Sequence, residues 1–155
     1  MSAGEEPASA RCDTGISGLN HILGGGFPPN ALYLVQGDPG VGKTTLALQF
    51  LMAGARAGES CLYITFSETS AELFAVGTHT WSLDGIDVLE LSDFAQQLTA
   101  EAESTLFDPA DIELQDVTKI IFAEVGRIKP TRTVFDSVSS CDYFRRAPFD
   151  IGVRF

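Results

Sequence analysis

A chain of 155 residues is long enough for one domain with a sizeable core. Its net charge of −11 and pI near 4.4 argue against a broad phosphate-tracking surface for DNA or RNA. Hydrophobic residues make up 45% of it, an ordinary share for a globular protein. No run approaches the ~18 consecutive apolar residues of a membrane span, and Glu5 and Glu6 spoil a signal-peptide start, so no membrane association is expected. Cys12, Cys61 and Cys141 lie far apart and match no metal-ligand or redox spacing, so reduced thiols in a cytoplasmic protein are expected.

Residues 1–11 are small and polar and read as a flexible start. Residues 14–23 place a cap-like Ser17 before a brief helical pattern of Leu19, Ile22 and Leu23, which the glycines and prolines of 24–29 stop. Residues 31–36 (Ala-Leu-Tyr-Leu-Val-Gln) form a short apolar, β-prone run, and the helix formers of 45–54 follow a glycine-rich loop. A second buried-looking strand is predicted over 60–66, then a helix over 71–76 capped by Ser70, then a partly alternating strand over 86–91. Residues 93–111 are polar and acidic with a weak pattern, and Glu101, Glu103, Asp108 and Asp111 read as a solvated face. Val117, Ile120, Ile121 and Val125 predict an amphipathic helix over 114–128, ended by Pro130. A fourth strand is predicted over 131–136. Strands alternating with helices predict an α/β fold with a parallel sheet covered on both faces.

The loop between the first strand and its helix is Gly37-Asp38-Pro39-Gly40-Val41-Gly42-Lys43-Thr44, the pattern G-x-x-x-x-G-K-[ST]. Strand, loop and helix are the context in which this pattern cradles nucleotide phosphates. Gly37 and Gly42 are expected to take backbone angles that a Cβ would forbid, so that successive N–H groups turn toward an anion. The helix behind the loop points its positive dipole end at the phosphates. Lys43 would reach the β- and γ-phosphates, the Thr44 hydroxyl would hold Mg²⁺, and Thr45 completes the nucleotide-binding run 37–45. Asp136, at the end of an apolar strand, reads as the second metal-holding oxygen, against the plainer role of a turn cap. Glu68, just after the second strand, reads either as the residue that activates water or as a solvated loop carboxylate. His21 and His79 lack partners at ligand spacing, and Trp81 reads as a core or edge aromatic.

Several segments together resemble the KaiC-type branch of the RecA-like P-loop ATPases, which includes circadian-clock and gas-vesicle-regulator relatives. They are residues 14–20 (Thr-Gly-Ile-Ser-Gly-Leu-Asn), 23–28 (Leu-Gly-Gly-Gly-Phe-Pro), the loop and helix through Leu51, 63–69 (Tyr-Ile-Thr-Phe-Ser-Glu-Thr) and 134–137 (Val-Phe-Asp-Ser). The resemblance spans 12–139 and implies a RecA-like sheet, ATP with Mg²⁺, and subunits that assemble with ATP at their interfaces. It also implies ATP hydrolysis in the intact family, in signalling or regulatory roles with a protein partner. Two readings stay open beside it: a nucleotide-dependent interaction module without turnover, and a non-functional truncated gene product. The chain departs from the family pattern in two places. Family members often carry paired glutamates after the second strand, where this chain has Ser67 and Glu68, and Asn20 replaces the usual aspartate.

After Ser139 the resemblance stops, and residues 140–155 read as an aberrant tail. Relatives continue with a Glu-Leu-Arg-Leu stretch and then Pro-Leu-Arg-Tyr-Arg-Arg-Gln. Residues 141–155 can be back-translated so that a frame starting one base earlier encodes Leu-Arg-Leu-Phe-Pro-Gln-Gly-Pro-Leu-Arg-Tyr-Arg-Arg-Gln-Val, family-like from end to end. The first two bases of most codons are fixed, so this agreement has little freedom in it. A single-base deletion near Ser139 or Ser140 is therefore expected, against the plainer reading of a genuinely divergent tail. It would leave the sheet without the strand that lies between the fourth strand and the loop strand in RecA-like folds. Resequencing the gene through these codons checks this: a lost base is the expected result, and an intact frame contradicts it.

Overall fold

Residues 61–65 (Cys-Leu-Tyr-Ile-Thr) carry large side chains at both parities, so a strand here requires cover on both faces. The structure, a computed structural model, describes residues 11–66, 68–76, 82–91 and 109–137. Strand β1 (Cys61–Thr65) is buried at every position. It is the middle of a three-stranded parallel sheet, between β2 (Ile86–Glu90) and β3 (Arg132–Asp136). The register pairs Tyr63 with Val88 on one side and Val134 on the other, and Thr65 with Glu90 and Asp136.

The two parities of β1 face two different helices. Cys61 and Tyr63 pack with Leu48, Leu51 and Met52 of α2 (Lys43–Arg56) and with Leu73 of α3 (Ser70–Val76). Leu62 and Ile64 pack with Val117, Ile120, Ile121, Val125 and Ile128 of α4 (Pro109–Ile128). These five positions recur at the helical period, which is why a single stripe of α4 covers the sheet. Each fully buried large side chain contributes ~1.5–3 kcal/mol. Helices on both faces of a parallel sheet are what the sequence pattern predicts. Helix α4 begins five residues before the predicted start, at Pro109, which suits a first helical turn. No helix among the described residues is long and apolar enough to cross a membrane.

The predicted strand over 31–36 is a difference. Among the described residues this run pairs with no strand, and Leu32 and Leu34 are 80% and 71% exposed. Both edges of β1 are already occupied by β2 and β3, and β3 ends the sheet order. An apolar, β-prone run becomes a strand only when a neighbour completes its ladder, and the described residues supply none.

Capping also differs from expectation. Ser17 is the first residue of α1 (Ser17–Ile22), and Ile16 holds the cap position. Ser70 likewise lies inside α3. The Thr69 hydroxyl accepts the Glu72 N–H at 3.2 Å, and a Glu72 carboxylate oxygen accepts the Thr69 N–H at 2.8 Å. This is a reciprocal capping box centred one residue earlier than predicted. The calls on residues 1–10, Ser67, His79, Trp81, Glu101, Glu103, Asp108 and the tail 140–155 lie outside the described residues.

The N-terminal motif is closed on itself by a polar knot. Asn20 Oδ1 accepts the Thr14 hydroxyl at 2.7 Å and the Thr14 N–H at 3.0 Å, while Asn20 Nδ2 donates to Asp13 Oδ1 at 2.5 Å. An aspartate at position 20 could not donate to Asp13 and would repel it, so Asn20 suits this chain's own neighbour.

Arg132 locks the knot to the core. Its side chain is 3% exposed and forms a bidentate pair with Glu59, at 2.8 Å from Nε and 2.7 Å from Nη2. Nη1 donates to the Asp13 carbonyl at 2.5 Å and the Phe50 carbonyl at 2.9 Å. The guanidinium carbon lies 4.7 Å from the centre of the Phe50 ring. Space for this side chain exists because residue 54 is glycine. A Cβ there would lie 2.6 Å from Arg132 Cδ and 2.9 Å from Cys61 Sγ. Alanine is the better helix former by about 1 kcal/mol, so an open helical site would gain from it. Gly54→Ala is nevertheless expected to destabilise the chain by roughly 1–3 kcal/mol, because it overpacks a filled site. The urea midpoint measures this, and an unchanged or raised midpoint would contradict the packing described.

Candidate functional site

The run Gly37–Thr44 turns from the exposed segment 31–36 into the N-terminus of α2. Gly40 and Gly42 take left-handed φ values of 82° and 94°. Gly42 is thus one expected special position, and Gly40 is a second that was not expected. Gly37, expected to share that conformation, does not take a left-handed φ, and a Cβ on it would meet only a methyl of the exposed Val41, at 2.9 Å. The loop closes on itself, with the Val41 N–H donating to the Asp38 carbonyl at 3.4 Å. Helix α2 starts at Lys43 with no side-chain cap, so its first N–H groups keep their donors for a ligand.

Lys43 Nζ donates to the Gly37 and Asp38 carbonyls, each at 2.9 Å, which holds the ammonium over the loop. Asp38, Pro39 and Val41 are exposed at the loop's rim. Beside the loop is a cleft of about 340 Å³ lined by Ile16, Val35, Val41, Lys43, Thr45 and Leu46.

Asp136 ends β3, at the same edge of the sheet as Thr65. Its Oδ2 accepts the Thr44 hydroxyl at 2.6 Å, across 92 residues of sequence. The same Oδ2 accepts the Tyr63 hydroxyl at 2.6 Å. Burial raises the Tyr63 pKa, and its bond to Asp136 and that residue's charge raise it further, so the phenol keeps its proton. Because Thr44 donates its proton to Asp136, its oxygen lone pairs remain for a cation. A hydroxyl and a carboxylate are hard oxygen donors, and this set fits Mg²⁺.

Glu68 sits in the turn after β1. The turn is closed by the Glu68 N–H donating to Thr65 Oγ1 at 2.9 Å and by the Thr65 hydroxyl donating to the Glu68 carbonyl at 3.0 Å. Glu68 Oε2 is buried and takes no hydrogen bond among the described residues. Burial first, then the Asp136 charge, then the Glu72 charge, raise its pKa. His21 is exposed on α1, and among the described residues no group of three His, Cys, Asp or Glu could hold a metal. Cys12 and Cys61 are free thiols, and burial pushes the Cys61 thiol up to about 11.

The structure therefore brings Thr44 and Asp136 together and leaves Glu68 in the turn beside them. Sequence reasoning missed Tyr63. Its signal was present: a polar-tipped aromatic at the parity of Thr65 inside an otherwise apolar strand.

A parallel sheet with helices on both faces and a glycine-rich loop opening a helix define an α/β protein of the RecA-like class. The chain belongs to the KaiC ATPase family: the family model described as "ATPase: KaiC" matches residues 12–148, running past the boundary expected at Ser139. The circadian clock oscillator protein KaiC of Rippkaea orientalis is 30% identical over 136 residues, covering 88% of this chain and 24% of that protein. The KaiC of Picosynechococcus sp. is 29% identical over 136 residues, covering 88% and 25%. Circadian clock oscillator protein KaiC 1 of Synechocystis sp. is also 29% identical, covering 88% and 24%. The chain spans about a quarter of the length of these curated relatives.

Glu68 generates a pH prediction. A carboxyl whose folded pKa is raised contributes most to stability below its ordinary value of 4.5, and that contribution is lost as pH rises through the raised value. Glu68→Gln removes the loss. Its thermal midpoint should lie above that of the unsubstituted chain at pH 8 and level with it at pH 4. A lower midpoint at pH 8 would show that a favourable partner holds the carboxylate.

Proposed function

We propose that the chain binds ATP with Mg²⁺ on residues 37–45 and derives from a KaiC-like signalling or regulatory ATPase that hydrolyses ATP when intact. The observation that carries this is the 2.6 Å bond from Thr44 to Asp136, which sets a hydroxyl and a carboxylate beside the phosphate loop. The loop N–H groups and the α2 N-terminus receive the phosphate oxygens, and Lys43 neutralises their charge. Thr44 and Asp136 would hold Mg²⁺, which supplies charge neutralisation at the transferring phosphoryl group. Glu68, in the turn beside Asp136, would activate the attacking water, and its raised proton affinity supports that role. Family membership supports a cytoplasmic setting, homo-oligomers in the intact family, and a signalling protein as partner.

A non-catalytic interaction module is distinguished from the enzyme by phosphate release under saturating Mg-ATP. Turnover abolished by Lys43→Ala marks the enzyme, and binding without turnover marks the module.

Calorimetric titration with Mg-ATP tests the site itself. Lys43→Ala should weaken binding at least tenfold, ~1.4 kcal/mol. Equal affinity in the two proteins would remove Lys43, and the loop with it, from the site.

A further inference from the structure

Tyr63 is a buried polar group at the site that phosphate binding does not use. Tyr63 lies in the centre of β1 and is 0% exposed. Its ring belongs to the cluster built by Leu48, Leu51, Met52 and Leu73, so packing rather than solvent sets where the hydroxyl lies. A buried phenol without an acceptor is costly, and this one donates to Asp136 Oδ2 at 2.6 Å.

We propose that Tyr63 is a positioning residue for Asp136, orienting the carboxylate through which the site takes its divalent cation. The proposal rests on the Mg-ATP reading above. Thr44 and Tyr63 approach the same oxygen, Oδ2, each at 2.6 Å. Two donors from two different elements, α2 and β1, fix the rotation of the carboxylate about its own stem. Oδ1 is the oxygen that neither donor occupies, and it is left for the cation or its bound water. Thr44 alone would not achieve this, because it is to be a ligand itself and sits at the start of a helix beside an exposed loop. Tyr63 supplies the fixed point: it is held in the buried central strand, two residues before Thr65, the register partner of Asp136. A carboxylate already oriented loses less freedom when the cation binds, so the effect falls on metal affinity and not on nucleotide contacts.

The test compares the full chain with Tyr63→Phe, which keeps the ring and removes the hydroxyl. ATP affinity is measured by calorimetry in EDTA, and the Mg²⁺ half-saturation concentration is then measured with ATP saturating. The expected result is a three- to tenfold rise in that concentration for Tyr63→Phe, with ATP affinity in EDTA changed by less than twofold. Mn²⁺ binding followed by electron paramagnetic resonance should weaken by the same factor. An unchanged metal requirement overturns the proposal. So does an equal loss with and without metal, which marks a purely structural role. ATP binding that is metal-responsive and alike in both chains sinks Tyr63 alone, whereas no ATP binding by the unsubstituted chain sinks the nucleotide reading and this one together. A second measurement needs no Tyr63 variant. The ¹³C signal of Tyr63 Cζ, identified with Tyr33→Phe and Tyr143→Phe, should shift when Mg²⁺ is added to the ATP-loaded chain, and an unmoved signal overturns the proposal.

Discussion

The guanidinium of Arg132 is where the separate parts of this chain become one structure. It reaches the carbonyl of Asp13 in the N-terminal motif, the carbonyl of Phe50 in α2, and the carboxylate of Glu59 before β1. Its own backbone begins β3. Glu59 is held below the ordinary carboxylate range by its hydrogen bonds to Arg132, so the pair remains charged at neutral pH. The Arg132 side chain is 3% exposed and that of Glu59 32%, so removing one partner costs less than the about 3–5 kcal/mol of a fully buried pair. The fork geometry explains why arginine and not lysine serves here: two donors face Glu59 while a third nitrogen serves the backbone.

The constraint is transmitted to the site along the same strand. Arg132 opens β3 against α2, and Asp136 closes it against the N-terminus of the same helix. The pairing of β3 with α2 is therefore tied at both ends of the strand. Between those ties, Tyr63 fills the face of β1 that α2 covers and adds its hydroxyl to the Asp136 end. The opposite face of β1 is wholly apolar and belongs to α4. Among the described residues, the chemistry of the site thus lies on one face and one edge of the sheet, while the other face carries apolar contacts and, at its exposed rim, the ion pair of Arg127 with Asp87 at 3.7 Å.

Exposure is distributed in keeping with that division. The loop 37–42 and the run 31–36 leading into it lie outside the packed layers, while the helix that follows is buried along the face toward β1. The loop's shape is set locally, by the left-handed Gly40 and Gly42. Its placement is set by α2. The site can therefore have a defined geometry at Thr44 although the chain just before the loop is exposed.

Local chemistry was legible from the amino-acid sequence alone. The glycine-rich loop opening α2, the helical stripe of α4, the apolar β1 and the acidic end of β3 each follow from residue types at fixed spacing, which act within a few residues of each other. The cap of α3 was not legible: Ser70 was expected to hold it, and the hydrogen bonds put it on Thr69, one residue earlier. Tertiary structure decided what depends on distant neighbours. The run 31–36 has the composition of a strand, but a strand also needs a partner, and propensity cannot supply one. Arg132 looks like a surface charge in sequence, and its burial depends on a missing Cβ in another element, at Gly54. Tyr63 reads as core, and it joins the site only because β3 delivers Asp136 to it from 73 residues away. Periodicity reports which face of an element is apolar, whereas contacts across elements depend on packing that no single segment encodes.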